Sequence, residues 1–372
     1  MPCGGGIAPA SRPRKCRQVS EAEPLADMIS PAGVPNGHSI LSVAVGLALV
    51  VLGGWSTLAL WFRGPRSAGA RSLLVALWLG FALVALGAIV RGHLLAASIT
   101  FAAVFALLLW WWHGLEPSNE RLWADDVARV GSGDVRGDTV TLHNVRNFDW
   151  RTLSDYTPRW ETRSYDLARL ESLDLVTSYW GRRAIAHVLV SFGFSGGEQL
   201  VFSVEIRRQR QQKFSELGGF FKRFELSVVA ADERDVIRVR TNIRGEDVYL
   251  YRLRVAREDM RSLLIAYVEQ MNNLVRTPRF YNTITVNCTT LIYQMMQRIV
   301  GRLPYDYRLL FSGYLPEYVY KVGGLDRRYP FAQLRQFGHI TGRARLADRS
   351  AQFSQEIRRS IPPLESDSAT GR

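Results

Sequence analysis

Cys288 lies in the run Tyr281-Asn282-Thr283-Ile284-Thr285-Val286-Asn287-Cys288-Thr289-Thr290, just where an apolar helical pattern begins. A thiol at a helix start sits among free N–H groups and the positive end of the helix dipole, which favours the thiolate, the nucleophilic form. Such a nucleophile needs a base. His187 is the candidate, set among Ile185, Ala186, Val188 and Leu189 in a strand-like run over residues 184–192. An imidazole there is costly to bury without a partner. That run and the next, residues 199–207, are joined through Ser195-Gly196-Gly197, a hairpin signal. Counted outward from that three-residue loop, His187 falls opposite Glu205, and directly opposed Cβ atoms are ~5 Å apart. A two-residue loop would put Glu205 on the wrong face. Thiolate, imidazole and orienting carboxylate together make a thiol-dependent acyl-transfer site. Asn287 and Thr289 beside the thiol, Tyr281 in the same run and Arg207 beyond Glu205 are the candidate near-site residues. The structural alternative stays open: a lone helix cysteine is commonly core filler, and a lone strand histidine a satisfied structural residue.

The remaining reactive residues point nowhere else. His143 and His339 stand apart, and no His or Cys pair has zinc spacing, so no metal is expected. Nucleotide-binding and serine-hydrolase glycine patterns are missing, and no cofactor is expected. Arg207, Arg208, Arg210 and Lys213 form a basic run, read either as a solvated edge or as a lipid-headgroup contact. Asp232-Glu233-Arg234-Asp235 reads as a turn between strands. Gly218-Gly219-Phe220-Phe221 reads as a flexible loop offering aromatics to membrane or substrate.

Positioning these residues falls to strands in series followed by helices. A short strand is predicted over 138–145, and residues 165–180 begin with helical spacing through Leu167, Leu170 and Leu173. Further strands are predicted over 184–192, 199–207, 224–230, 235–241 and 247–255. Residues 258–275 place Met260, Leu263, Leu264, Tyr267, Val268, Met271 and Leu274 on one helical stripe, which Thr277-Pro278 ends. A second helix runs from Cys288 to Gly301. That order implies an α+β domain with an antiparallel sheet, assigned to residues 117–345 after a linker over 116–127, with a flexible tail over 346–372.

Ahead of this domain the composition changes sharply. The chain has 372 residues, 47% hydrophobic and 22% charged, yet residues 39–113 hold almost no charge apart from Arg63, Arg66, Arg71 and Arg91. Three spans are predicted there, over 40–62, 73–90 and 94–112, each near the length that crosses a ~30 Å hydrocarbon core. Trp110-Trp111-Trp112 ends the third where an interfacial aromatic belt belongs. Residues 1–38, rich in Gly, Pro, Ser and Arg, read as a disordered leader, in which Met28 is an alternative start. Arg12, Arg14, Lys15 and Arg17 favour a cytoplasmic N-terminus and an external domain, whereas Arg63, Arg66 and Arg71 argue the reverse, so charge leaves the orientation open. The net charge of +13 is spread among acidic residues without a nucleic-acid motif, which excludes nucleic acid as the expected partner and favours the lipid bilayer. Of three cysteines, Cys3 and Cys16 fall in the leader, leaving Cys288 unpaired in the domain.

Several stretches resemble the Lnb N-terminal periplasmic domain family of bacterial envelope proteins. They are Asn144-Val145-Arg146-Asn147-Phe148, Ile185-Ala186-His187, Ser191-Phe192-Gly193-Phe194, Ser203-Val204-Glu205-Ile206-Arg207 and Gly218-Gly219-Phe220-Phe221. Asp232 to Asp235, Gly245-Glu246-Asp247-Val248-Tyr249-Leu250-Tyr251 and Asn287-Cys288-Thr289-Thr290 complete the set. The resemblance implies a periplasmic domain, and hence a bacterial inner-membrane anchor. It also implies a permuted papain-like (NlpC-like) arrangement with Cys288 as nucleophile, His187 as base and Glu205 as its orienting group. The activity it implies is lipoprotein N-acylation, from a phospholipid acyl donor to a lipoprotein or other amine acceptor. One departure stands out: Gln211-Gln212 occupies the place where an acidic residue is expected, so a substrate contact there differs. A thiol peptidase or amidase acting on the cell wall, and a non-catalytic envelope binding module, are the alternatives.

Overall fold

A computed structural model describes residues 37–301 and 303–364. The expected leader, up to residue 36, lies outside the described residues. Three helices come first: α1 (Gly37–Arg63), α2 (Ala68–Val90) and α3 (Leu94–His113). Ile40–Arg63, Ala68–Val90 and Leu94–His113 are each long and apolar enough to cross a membrane. They pack as an antiparallel bundle, with Leu49, Leu60, Trp78, Ile89, Phe101 and Leu108 inside. The end of α1, the start of α2 and the end of α3 share the end of the bundle that carries the rest of the chain.

The following domain is built on one sheet. Its strands are β1 (Ser132–Arg136), β2 (Thr139–Arg146), β5 (Trp160–Asp166), β6 (Leu170–Tyr179), β7 (His187–Phe194), β8 (Gln199–Arg207), β9 (Glu225–Ala231) and β10 (Asp247–Arg252), while β3 (Asp149–Trp150) and β4 (Tyr156–Thr157) pair separately. The order is β1-β2-β9-β8-β7-β6-β10, with β5 also on β2. Every pairing is antiparallel except β2 with β9, which makes the sheet mixed rather than purely antiparallel. Helices α5 (Arg257–Arg276) and α6 (Cys288–Val300) cover one face, on Val188, Val190, Phe192, Phe202 and Val228. The other face, carrying Val176, Leu189, Val201, Val229 and Val248, is covered by α4 (Glu233–Arg238), with Ile340 and Ala344 and then Phe353 and Ile357. Strand alternation thus feeds two cores, one on each side of the sheet.

Three expectations are corrected. Residues 165–180 hold only a single helical turn, Leu167–Arg169, before continuing as β6, because Leu173 and Leu175 face α5 while Val176 faces the opposite core. Residues 235–241 are helical, not a strand. The Asp232 side chain accepts from the Arg234 N–H as an N-cap, and the turn expected over 232–235 is this helix start. Finally, of the tail expected over 346–372 the described part is packed, since Phe353 and Ile357 on the short helix Phe353–Arg358 have no exposed surface, while residues 365–372 lie outside the described residues.

Candidate active site

The hairpin of β7 and β8 has the predicted three-residue loop. The Phe194 N–H donates to Glu198 O, and the ladder pairs Gly193 with Gln199 and Leu189 with Ser203. Continued past the last ladder pair, that register brings His187 to Glu205. The His187 Nε2 lies 3.2 Å from Glu205 Oε1 and 2.7 Å from Ser203 Oγ. The Ser203 hydroxyl donates to Glu205 Oε1 at 2.7 Å. A hydroxyl has one hydrogen, so His187 Nε2 must be the donor in its contact with Ser203. Nδ1 is then the nitrogen left to exchange a proton with a nucleophile.

Arg240 completes the carboxylate's surroundings: its Nη2 donates to Glu205 Oε1 at 3.0 Å, and its Nη1 lies 3.4 Å from Glu246 Oε2. Glu246 in turn takes a short hydrogen bond from Ser178, the residue opposite His187 on β6. The chain of contacts Ser178–Glu246–Arg240–Glu205–Ser203–His187 is therefore continuous. Each carboxylate in it is shared, so neither is left as an unpaired buried charge.

Cys288 reaches this chain from the other side of the sheet. By alternation His187, Leu189, Ser203 and Glu205 fall on the α4 face, whereas Cys288, 9% exposed, belongs to the core under α5 and α6. The two meet at the start of β7, where the thiol lies near enough to the His187 imidazole and the Val188 N–H for both to favour its thiolate. Asn287 fixes the thiol's position. Its Oδ1 accepts from the N–H groups of Thr289 (2.8 Å) and Thr290 (2.9 Å), and Thr290 Oγ1 accepts from Asn287 N, a reciprocal capping box.

The electrostatics follow from these contacts. Burial pushes the Cys288 thiol up, but the His187 hydrogen bond and charge, the Val188 N–H and Thr289 outweigh it and hold it below its ordinary value. Burial and Arg240 work against charge on His187, yet Glu205 and Cys288 hold it above the usual imidazole value. Burial would raise Glu205 also; His187, Arg240 and Ser203 keep it well below the carboxylate range. A thiolate facing an imidazolium is the state these shifts favour, and it is the state from which thiols attack acyl carbons.

The near-site residues divide. Tyr281 is close enough to feel both anions: burial, then Cys288 and Glu205, push its hydroxyl up. Thr289 Oγ1 lies 4.0 Å from Cys288 Sγ, and Asn287 is a cap. Arg207 does not join them. Its guanidinium donates to Val127 O, Asn119 Oδ1 and Ala128 O and stacks on Trp123 at 4.3 Å, so it clasps the linker instead of facing a substrate. Gln212, at the departure noted in the sequence, accepts from Gln209 N at 2.9 Å and closes a local turn. His143 and His339 pair with Asp134 and Asp247, away from the thiol.

Three site residues escaped the sequence reading. Ser203 was findable, since it precedes Glu205 by two and shares its face. Arg240 lay inside a segment read as strand, which aims alternate side chains differently from a helix. Glu246 follows Gly245, whose positive φ of 69° turns the chain back toward β6.

The segment before His187 is held by close backbone approach. Gly313 N donates to Ala184 O, Ser312 Oγ accepts from Ala186 N, and a Cβ on Gly313 would collide with the Arg183 carbonyl. No curated protein and no solved structure matches this chain. The site and the turn that holds it fall within residues 156–313, which match the model of the family described as the Lnb N-terminal periplasmic domain. That stretch is thus similar to the Lnb N-terminal periplasmic domain family, and ahead of it stand three helices long and apolar enough to span a membrane.

Proposed function

We propose that this protein is a cysteine-dependent acyltransferase of the bacterial inner membrane, with its domain in the periplasm, moving a fatty acyl group from a phospholipid to an amine such as a lipoprotein N-terminus. The observation that carries the reading is the Ser203, Glu205 and Arg240 network that holds the His187 imidazole near Cys288 at the start of a capped helix. The Cys288 thiolate attacks the ester carbonyl; the C–O bond breaks, the leaving alcohol takes the proton from His187, and a thioester remains. The acceptor amine then attacks the thioester, loses its proton to His187, and the thiolate departs. The chain order His187, Glu205, Cys288 is the one the family resemblance associates with a permuted papain-like arrangement.

The location favours a lipid-borne substrate. Phe221 packs on Trp55, Phe62 and Trp112 of the anchor, with ring centroids 6.4, 5.5 and 6.5 Å away, so the loop that touches Tyr281 and Thr283 also touches the anchor. Incubating the full chain with acyl-labelled phospholipid should yield a hydroxylamine-sensitive label on Cys288 and, with a lipoprotein acceptor, N-acylated product. Cys288→Ala should abolish both without loss of folding. Full transfer by Cys288→Ala would end the proposal, and a cut peptide or muropeptide as the product would favour a thiol peptidase or amidase.

A further inference from the structure

The seam between anchor and domain holds a concentration of positive charge that the acyl-transfer site does not use. Arg63 and Arg71 come from α1 and α2, Arg66 from the loop between them, and Lys222 and Arg223 from the loop before β9. Among the described residues none of the five forms an ion pair with a carboxylate within 4.0 Å. Glu225, buried here, lies 3.1 Å from Arg121 and also feels Arg63, yet burial outweighs both charges and pushes its carboxyl up, so it is a weak counter-ion for the cluster. Instead these cations lie over rings: Arg63 over Phe280 at 5.3 Å, Arg71 over Trp61 at 5.0 Å and Arg223 over Phe62 at 5.4 Å. The buried Nε atoms of Arg63, Arg71 and Arg223 have no hydrogen-bond partner. They are also near enough to oppose one another: burial first, then Arg63, holds Lys222 below its ordinary value, and burial, then Arg71, does so for Arg223. Like charges gathered with unsatisfied donors are costly unless an anion joins them.

Directly below lies an apolar groove of about 760 Å3 between α1, α2 and α3, within the ~300–1,000 Å3 range of small-molecule sites. Leu74, Phe81, Val104, Leu107 and Trp111 line it, and Arg63 and Arg66 stand at its mouth. Leu107 and Leu77 are more than 60% exposed on its walls, so the groove opens sideways, toward where bilayer lipid would lie. Charge complementarity above and apolar depth below fit one occupant.

We propose that this seam binds one anionic glycerophospholipid from the surrounding bilayer, with its phosphate on Arg63 and Arg66 beside Arg71 and Arg223, and an acyl chain in the groove between α1, α2 and α3. These helices lie outside the matched segment 156–313, so the site belongs to this chain's own anchor. It also accounts for arginines at the end of the bundle that bears the domain, where the charge rule for a periplasmic domain disfavours them. The proposal stands whether or not Cys288 turns over substrate.

The test is native mass spectrometry of the full-length protein, delipidated in detergent and titrated with phosphatidylglycerol or phosphatidylcholine. The parent should retain one phosphatidylglycerol, at least ~10-fold tighter than phosphatidylcholine, as charge-assisted hydrogen bonds to the phosphate would give. Arg63→Gln with Arg66→Gln should remove that preference. Leu107→Trp, or Leu77→Trp on α2, should weaken both lipids by filling the groove with the charges intact. Arg91→Gln, at the opposite end of the bundle, should behave as the parent. Equal affinity for the two lipids, undiminished binding in both groove-filling variants, or full displacement of the lipid by millimolar inorganic phosphate would overturn the proposal. A thermal transition matching the parent's qualifies each variant as folded, and Cys288 alkylation unchanged in these variants separates this site from the thiol chemistry.

Discussion

At the residue scale, Cys288 is decided by a contest between burial, which disfavours the thiolate, and the imidazolium beside it, which favours it more. Glu205 governs that contest indirectly, because it holds the charge on His187. Replacing Glu205 by Gln should therefore lower the His187 pKa and raise that of Cys288, slowing thiol alkylation near neutral pH, and Ser203→Ala should do the same more weakly. The linkage signs differ for the two partners. The depressed Glu205 contributes stability present above the ordinary carboxylate value of ~4.3 and lost as pH falls through its lower folded value. The raised His187 contributes stability present below ~6.5 and lost as pH rises through its higher folded value. Thermal unfolding followed from pH 3 to 9 should accordingly show a flatter acid limb in Glu205→Gln than in the parent. The same change removes one partner of the buried Arg240 and should cost roughly 3 kcal/mol. An unchanged acid limb would mean that Glu205 is not the coupled carboxylate.

At the scale of elements, much of the site was legible because the β7–β8 hairpin is local: loop length sets register, and register sets which side chains face each other. Helices α5 and α6 were legible for a similar reason, since a 3.6-residue apolar stripe and a cap are written in consecutive residues. What stayed hidden depends on distant partners. Asp235 looked like a turn residue, but its carboxylate accepts from Arg146 Nε and Nη2, the Phe148 N–H and the Trp150 indole, contacts made across 85 or more positions of sequence. No window of the sequence shows that, and it is what seats α4 and, one turn on, Arg240. The Asn287 cap permits a test at this scale. Asn287→Ala should cost ~1 kcal/mol of stability and loosen the helix start, slowing Cys288 alkylation, while Asn287→Asp should keep the cap. Equal alkylation rates in all three proteins would show that the cap does not set the thiol's position.

For the whole molecule, the question is how the domain that carries Cys288 is fastened to its anchor. The Lys222 ammonium donates to Trp112 O at 2.8 Å at the C-terminal end of α3, where a cation is favoured by the helix dipole, and Phe221 fills the aromatic nest beside it. Gly219 allows the same loop to run flush with Thr283 and Tyr281, because a side chain there would collide with them. Anchor, loop and the segment that bears the thiol are thus in continuous contact. Phe221→Ala should remove ~3 kcal/mol of seam packing and lower turnover on bilayer-embedded donors more than on short, water-soluble acyl thioesters. Equal losses on both substrates would place the effect at the thiol instead of the seam.

The most direct test of the central claim is the pH dependence of Cys288 alkylation in full-length protein carrying Cys3→Ser and Cys16→Ser, compared with the same protein carrying His187→Ala. The account predicts a thiol that titrates well below the free-cysteine value of ~8.5 and moves upward when the imidazole is removed. A thiol that titrates at or above that value, and is indifferent to His187, would contradict it.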